Sequence, residues 1–402
     1  MPTHLGLARL MRLALSGADL APLGQSLLQR ATDDPSESGA LLDASILFQF
    51  LGHPDMAMTL QGEALKVRRL YRFPTTQPTR LRLLALVAPG AIMANVPLEC
   101  LLEDSDIELN LYYATIDDPN PEEIPEHDLL FVAIGESDAN RPLLAAWLPR
   151  LIQWPRPVLN DPRRIETMAR DAACQLLQGP PGLIMPPTLR LGRRRVQAIA
   201  TSERADLELP LIIRPIDSHA GHDLAKVESP EELLAVLDAV PSDEFYLSPF
   251  IDYRNPDGLY RKYRVILVDG QPFACHMGVS SHWMIHYLNA GMDESPDKRA
   301  EEADFMATFD QSFAVRHGEA LAAIHGAIGL EYFGIDCAET QDGRLLIFEV
   351  DPAMVVHAMD PVDLYPYKPP AMRRIFDAFR AMLIATAERH PPGLSRTSHR
   401  KA

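Results

Sequence analysis

Through the first 75 residues the apolar positions recur at helical spacing. Leu20, Leu23, Leu27 and Leu28 form one stripe, and Leu41, Ile46, Leu47 and Phe50 another. The pattern predicts helices throughout 1–75, closed by the linker Pro74, Thr75, Thr76 and Pro78. From Leu81 the period changes. LRLLALVA is a short, nearly continuous apolar run, as expected of a strand buried on both faces. Ile107 to Tyr113 and Asp128 to Ile134 read as further strands, and Val96 to Leu102 and Leu143 to Ile152 as helices. Strands alternating with helices predict a small parallel α/β layer over 80–160. Its lone glycines, Gly90 and Gly135, lack the G-x-G-x-x-G spacing of a dinucleotide fold, so this layer is expected to hold substrate rather than nucleotide.

A helix over Ile165 to Leu177 follows, ended by Gly179-Pro180-Pro181-Gly182. The strand Leu211 to Arg214 then runs into a loop holding Ser218, His219, Ala220, Gly221 and His222. Small residues let backbone N–H groups approach an anion, and Arg214 at the strand end would point at the same place. A plain turn explains the lone glycine equally. FYLSPFIDY (residues 245 to 253) is an apolar strand whose Pro249 predicts an edge or a bend. KYRVILVDGQPFACHMG reads as a hairpin about Asp269-Gly270, with Val268 opposite Gln271 and Arg264 opposite Cys275. An arginine on an apolar strand needs an acidic or phosphate partner, unless it faces solvent.

His282, Trp283 and His286 come next, in SSHWMIHYLNAGM. They suit a substrate pocket or ordinary satisfied polar positions, and no acid or cysteine is spaced with them for a metal or triad. Residues 299 to 316 read as a lid or short helices, and Glu319 to Ile328 and Met372 to Ala387 as longer striped helices.

Between those last two helices, EYFGIDCAETQDGRLLIFEVD places two apolar runs about Asp342-Gly343. A two-residue loop there sets Glu339 opposite Leu346 and Asp336 opposite Glu349, and Asp351 falls on the face of Glu349 by period-2 alternation. Three carboxylates then converge on an apolar hairpin. Like charges opposite one another destabilise a sheet, and a divalent cation such as Mg²⁺ would relieve them, since it takes carboxylate oxygens and bridges them to phosphates. Solvated acids on an edge hairpin are the other reading.

Composition narrows the function. At 402 residues two or three domains are expected. The formal charge of −17 argues against general nucleic-acid or anionic-membrane binding, although it allows a local basic pocket. Cys100, Cys174, Cys275 and Cys337 form no C-x-x-C pair, which fits a reducing compartment. No run of eighteen apolar residues occurs, and a cytoplasmic location is expected.

Two resemblances add to this reading. LGHPDMAMTLQGEAL, with Gly52, Ala57, Ala64 and Leu65, resembles the turn and second helix of a tetratricopeptide unit. One such unit is visible where arrays need about three, so 1–75 is either a capping bundle or a module for a peptide or protein partner. The order of parts from 81 to 385 resembles the ATP-grasp superfamily. That resemblance implies an α/β (α+β) fold: an ATP-grasp domain over 161–390 in two subdomains, the preceding α/β domain over 80–160, and a basic tail over 391–402.

It also implies ATP with Mg²⁺ or Mn²⁺, held by Asp336, Glu349 and Asp351 where the family carries an acid and then Glu-x-Asn. Arg214 stands where a phosphate-binding lysine is usual, and Arg170 is the nearest counterpart of an earlier one. Arg214, Ser218, His219 and Gly221 would hold phosphates, and Tyr246, Leu247, Ser248 and Phe250 would form the adenine hinge. Arg264 would face an acyl-phosphate, and His282, Trp283 and His286 would line the substrate pocket. The implied chemistry joins a carboxylate to an amine or thiol through an acyl-phosphate. A small-molecule kinase and a non-catalytic binding or scaffold protein of the same fold are the alternatives.

Overall fold

The computed structural model describes residues 4–75, 77–117, 124–201, 208–216, 218 and 221–390, so Thr76, His219 and the tail 391–402 lie outside it. The chain forms two compact units. The first comprises Met1–Ile165, Leu330–Tyr332 and Pro352–Ala402, and the second Glu166–Gly329 and Phe333–Asp351.

The first unit opens with four helices, α1 (Leu7–Leu15), α2 (Ala21–Asp33), α3 (Ser38–Phe50) and α4 (Pro54–Val67). Leu10, Leu20, Leu27, Ala40, Ala44 and Leu47 make their shared core. Ala57 and Ala64 of α4 are fully buried, because only a small side chain lets α4 approach this closely. Gln61 exchanges two hydrogen bonds with the backbone of Gly90, and Gln49 accepts from the N–H of Ile92, tying α3 and α4 to the α/β layer.

The helical pattern stops before residue 75. Leu70–Phe73 is a strand, β1, whose Tyr71 is buried between a half-buried Leu70 and an exposed Arg72. β2 (Leu81–Val87), β3 (Ile107–Tyr113), β4 (Leu129–Val132) and β5 (Val158–Leu159) complete a sheet in the order β1-β3-β2-β4-β5. β2 to β5 pair in parallel and β1 runs antiparallel on β3, so the layer is mixed rather than purely parallel. The expected helix at Val96 to Leu102 is one turn, Leu98–Leu101. The C-terminal helix Lys368–Arg389 lays Phe379 against Phe131 of β4 and against Tyr332, with ring centres 5.5 and 5.1 Å apart.

The second unit carries β6 (Leu183–Ile184), β7 (Leu189–Gly192), β8 (Leu211–Pro215), β9 (Ala225–Val227), β10 (Glu244–Pro249), β11 (Tyr260–Val268), β12 (Gln271–Ser280), β13 (Tyr332–Glu339) and β14 (Leu345–Asp351). Four strands form an antiparallel sheet, β7-β10-β8-β9, packed on the helices Arg193–Ala200 and Pro230–Ala239 through Val196, Ile213, Leu233 and Phe245. The other sheet runs β12-β11-β13-β14-β6. β10 is an interior strand, not an edge. Pro249 is tolerated because it is the last residue of the strand, where the ladder ends. The helix expected over Ile165 to Leu177 is broken, with Arg170–Leu176 its last segment.

Candidate active site

Two hairpins of the second unit bring the charged residues together, and each contains a bulge. In the β11–β12 hairpin Asp269 and Gly270 both have positive φ (48° and 80°), as a two-residue primed turn requires. Val268 pairs with Gln271 as expected, but the register shifts between Arg264 and Val265. The pairing steps from Ala274 to His276 across this bulge, so Arg264 faces His276 instead of Cys275.

In the β13–β14 hairpin the loop is one residue longer than a two-residue turn. The Gly343 N–H donates to the Thr340 carbonyl (2.9 Å) to close a turn, Gly343 takes φ 81°, and the Thr340 N–H donates to the Arg344 carbonyl (3.0 Å). Glu339 therefore pairs with Leu345, not Leu346. A bulge at Phe348 then restores the count, and Asp336 faces Glu349. Two one-residue offsets cancel. The acids meet as predicted, through a backbone path that was not.

Cations, not solvent, relieve their repulsion. Asp336 is 1% exposed. Arg264 donates to it from Nε (2.8 Å) and Nη2 (3.1 Å), and the Nζ of Lys262 lies 2.7 Å from Oδ2. Burial alone would raise this carboxyl's pKa, but Arg264 and Lys262 outweigh it and hold the group ionised, far below the usual range. The Nη2 of Arg170, the first residue of its helix, pairs with Glu349 at 2.5 Å, and its Nη1 donates to the Phe348 carbonyl at 2.9 Å. Glu349 is likewise held low, against burial, by Arg170 and Arg214.

Arg214 lies opposite Tyr246 at the end of β8 and hydrogen-bonds the hydroxyl and carbonyl of Ser218. Burial, and then the neighbouring Arg170, push its pKa down to about 9. A guanidinium in that position is short of negative charge. His286 is pushed below its ordinary value by burial and then by Lys262 and Arg264. The field around it is positive.

The structure thus gathers Arg170, Arg214, Arg264, Asp336 and Glu349, with Ser218 and His286 beside them. Asp351 is half-buried on β14, opposite Gly334. Gly221 turns the loop with φ 76°, and His219 lies outside the described residues. Tyr246 and Leu247 are buried in β10, with Ser248 and Phe250 half-buried after them. Trp283 packs edge-on to Phe250 (5.6 Å), and its carbonyl accepts from the Tyr253 hydroxyl. His282 is exposed at the bend after β12.

Pattern reading missed Lys262 and His276. Lys262 stands two residues before Arg264, so alternation puts both on one face, and that spacing alone could have found it. His276 depends on the bulge and left no trace in the pattern.

The donor set does not fit an ion shared by all three acids. Both oxygens of Asp336 are occupied by side-chain cations. Among the described residues no group of three or more His, Cys, Asp or Glu is arranged to hold a metal ion. Glu349 pairs with Arg170 rather than with Lys262 or Arg264, and Asp351 follows it two residues on along β14.

No family model matches the chain, and no curated protein matches it. Solved structures do. The chain is similar to D-alanine–D-alanine ligase from Bacillus anthracis complexed with ATP, at 15% identity and TM-score 0.45, covering 77% of this chain and 97% of that one. It is also similar to an ATP-grasp RimK domain protein from Sphaerobacter thermophilus (14%, TM-score 0.43, 76% and 99%) and to the VanG D-Ala:D-Ser ligase from Enterococcus faecalis (15%, TM-score 0.45, 76% and 99%). At these identities and TM-scores the likeness assigns no residue and no substrate. Among the described residues no helix is long and apolar enough to cross a membrane.

Proposed function

We propose that this chain is an ATP-dependent ligase of the ATP-grasp kind, which activates a carboxylate as an acyl-phosphate and joins it to an amine or thiol. One observation carries the reading. Arg170, Arg214, Lys262 and Arg264 surround Asp336 and Glu349 in one unit, and the cations outnumber the acids even when Asp351 is counted. A chain of net charge −17 concentrates positive charge there, which suits a polyanion.

A carboxylate oxygen attacks the γ-phosphorus as the bond to the β-phosphate oxygen breaks, releasing ADP. The amine or thiol then attacks the acyl carbon, phosphate leaves with its bonding electrons, and the nucleophile's proton passes to the departing phosphate or to solvent. No covalent enzyme nucleophile is needed, and the protein supplies position and charge. Arg170 and Arg214 hold the phosphate chain, with Ser218 and Gly221 presenting the loop. Tyr246, Leu247, Ser248 and Phe250 hold adenine. Arg264 faces the transferring phosphoryl group, and His282, Trp283 and His286 line the acceptor side. A divalent ion, when bound, would neutralise phosphate charge beside Glu349 and Asp351.

The helices α1–α4 are tied into the first unit through Gln49 and Gln61. That favours a structural role for them over docking a peptide or protein partner.

Thermal unfolding with ATP, and acyl-phosphate capture by hydroxylamine over a panel of carboxylic acids, test the reading. An ATP-dependent shift with hydroxamate formation supports it. A shift with ADP release but no hydroxamate points to a kinase, and no shift at millimolar ATP to a non-catalytic protein.

A further inference from the structure

Asp336 and Lys262 divide their work in a way that no three-acid metal site would. Asp336 sits at the floor, its side chain 2% exposed, while Lys262 and Arg264 above it are 20% and 21% exposed. Arg264 spends Nε and Nη2 on the acid, and among the described residues its Nη1 has no hydrogen-bond partner. The cations are thus anchored on their inner side and open on their outer side. Both come from β11 at positions of one face, and the acid comes from β13, the next strand in the sheet.

Holding two long side chains in place before a ligand arrives removes the cost of ordering them on binding, which is the physical meaning of a preorganised charge site. An ion ligated by Asp336 would compete with Lys262 and Arg264 for its oxygens and weaken the pairing of a half-buried cation. Weakening a buried pair in that way is unfavourable, because it leaves charge uncompensated away from water.

We infer that Asp336 is a counter-ion rather than a metal ligand, and that Lys262 is the positioning residue that makes it one, so that Lys262 and Arg264 form a fixed cation platform for phosphate oxygens. This rests on the proposed ATP site for its ligand. The two parts separate experimentally.

The probe for the first part is Mn²⁺ alone, titrated into the full chain without nucleotide and followed by electron paramagnetic resonance. D336N is expected to leave the wild-type Mn²⁺ affinity within twofold. K262M, which keeps the Arg264–Asp336 pair, is expected to bind Mn²⁺ at least tenfold more tightly, and K262M/D336N to lose that gain. K262R should behave as wild type. A tenfold loss of Mn²⁺ affinity in D336N, or no gain in K262M, overturns the inference.

ATP titrated in EDTA is the second probe, with K262M expected to weaken binding at least fivefold. If wild type binds ATP neither in EDTA nor with Mn²⁺, the ligase reading falls, while the Mn²⁺ titrations still decide the role of Asp336.

Discussion

Arg170 donates a 2.9 Å hydrogen bond to the carbonyl of Phe348, the residue of the β13–β14 hairpin that has no ladder partner. The same guanidinium pairs with Glu349 one residue later, so one side chain satisfies the bulge and neutralises the acid that the bulge presents. Arg170→Met leaves a carbonyl and a carboxylate unmatched. A destabilisation of about 2–4 kcal/mol is expected, read as a fall in thermal midpoint. Arg170→Lys, which cannot reach both acceptors at once, should fall between wild type and Met.

Arg214 should show the opposite balance. Burial and Arg170 work against its charge, so the apo protein carries it at a cost. Arg214→Met is expected to leave the thermal midpoint of the apo protein unchanged or raised by up to about 1 kcal/mol of stability. The ATP-induced shift should largely vanish. A large apo destabilisation would mean that the contact with Ser218 outweighs the electrostatic strain.

The start of α1 depends on a glycine. Gly6 has φ 82°, and a Cβ there would fall on the Glu99 carboxylate and 2.5 Å from the Phe73 ring. Gly6→Ala is expected to cost about 2–4 kcal/mol. Gly17 has a similar φ of 73° but open space around it, so Gly17→Ala should cost only about 1 kcal/mol. Thermal midpoints of the two variants separate steric from conformational strain.

Acids anchor the same segment. Asp43 accepts from the N–H groups of Leu5 (2.6 Å) and Gly6 (2.9 Å), and Glu99 from that of Ala8 (3.2 Å). Burial pushes Asp43 up to about 6 and Glu99 up to about 7, with Asp43 adding to the second shift and Arg30 and Arg9 opposing the first. Folded-state pKa values above the unfolded ones mean stability that is full below about pH 4 and lost as pH rises through 6 to 7. Stability should therefore fall between pH 4 and pH 8, by on the order of 3 kcal/mol for each group, read as a drop in the thermal midpoint. Asp43→Asn should flatten its share of that slope.

Turn chemistry and alternation made much of the candidate site legible. Asp269-Gly270 declared a two-residue turn because both positions need positive φ, and the opposition of Asp336 and Glu349 was foreseen. Bulges were not legible, since the extra residue at Cys275 or Phe348 is set by neighbouring strands and by a side chain from a distant helix, not by local composition. One bulge cancelled an error in loop length, while the other moved the partner of Arg264 from Cys275 to His276. Lys262 was legible and overlooked. β1 hid behind helical periodicity because four residues are too few to display period 2.

The first unit closes only with the end of the chain. Asn160 receives the N–H of Tyr332 and donates to its carbonyl, and Phe379 fills the space between Tyr332 and Phe131. During synthesis, every residue of the second unit has been added by Asp351, before any residue of the helix Lys368–Arg389. The nascent first unit therefore lacks the contact of Phe379 with Phe131 while the second unit, inserted in its sequence, completes its own core. A stalled or truncated product would be a finished second unit attached to an unfinished first one, which is the form that chaperones and proteases would meet.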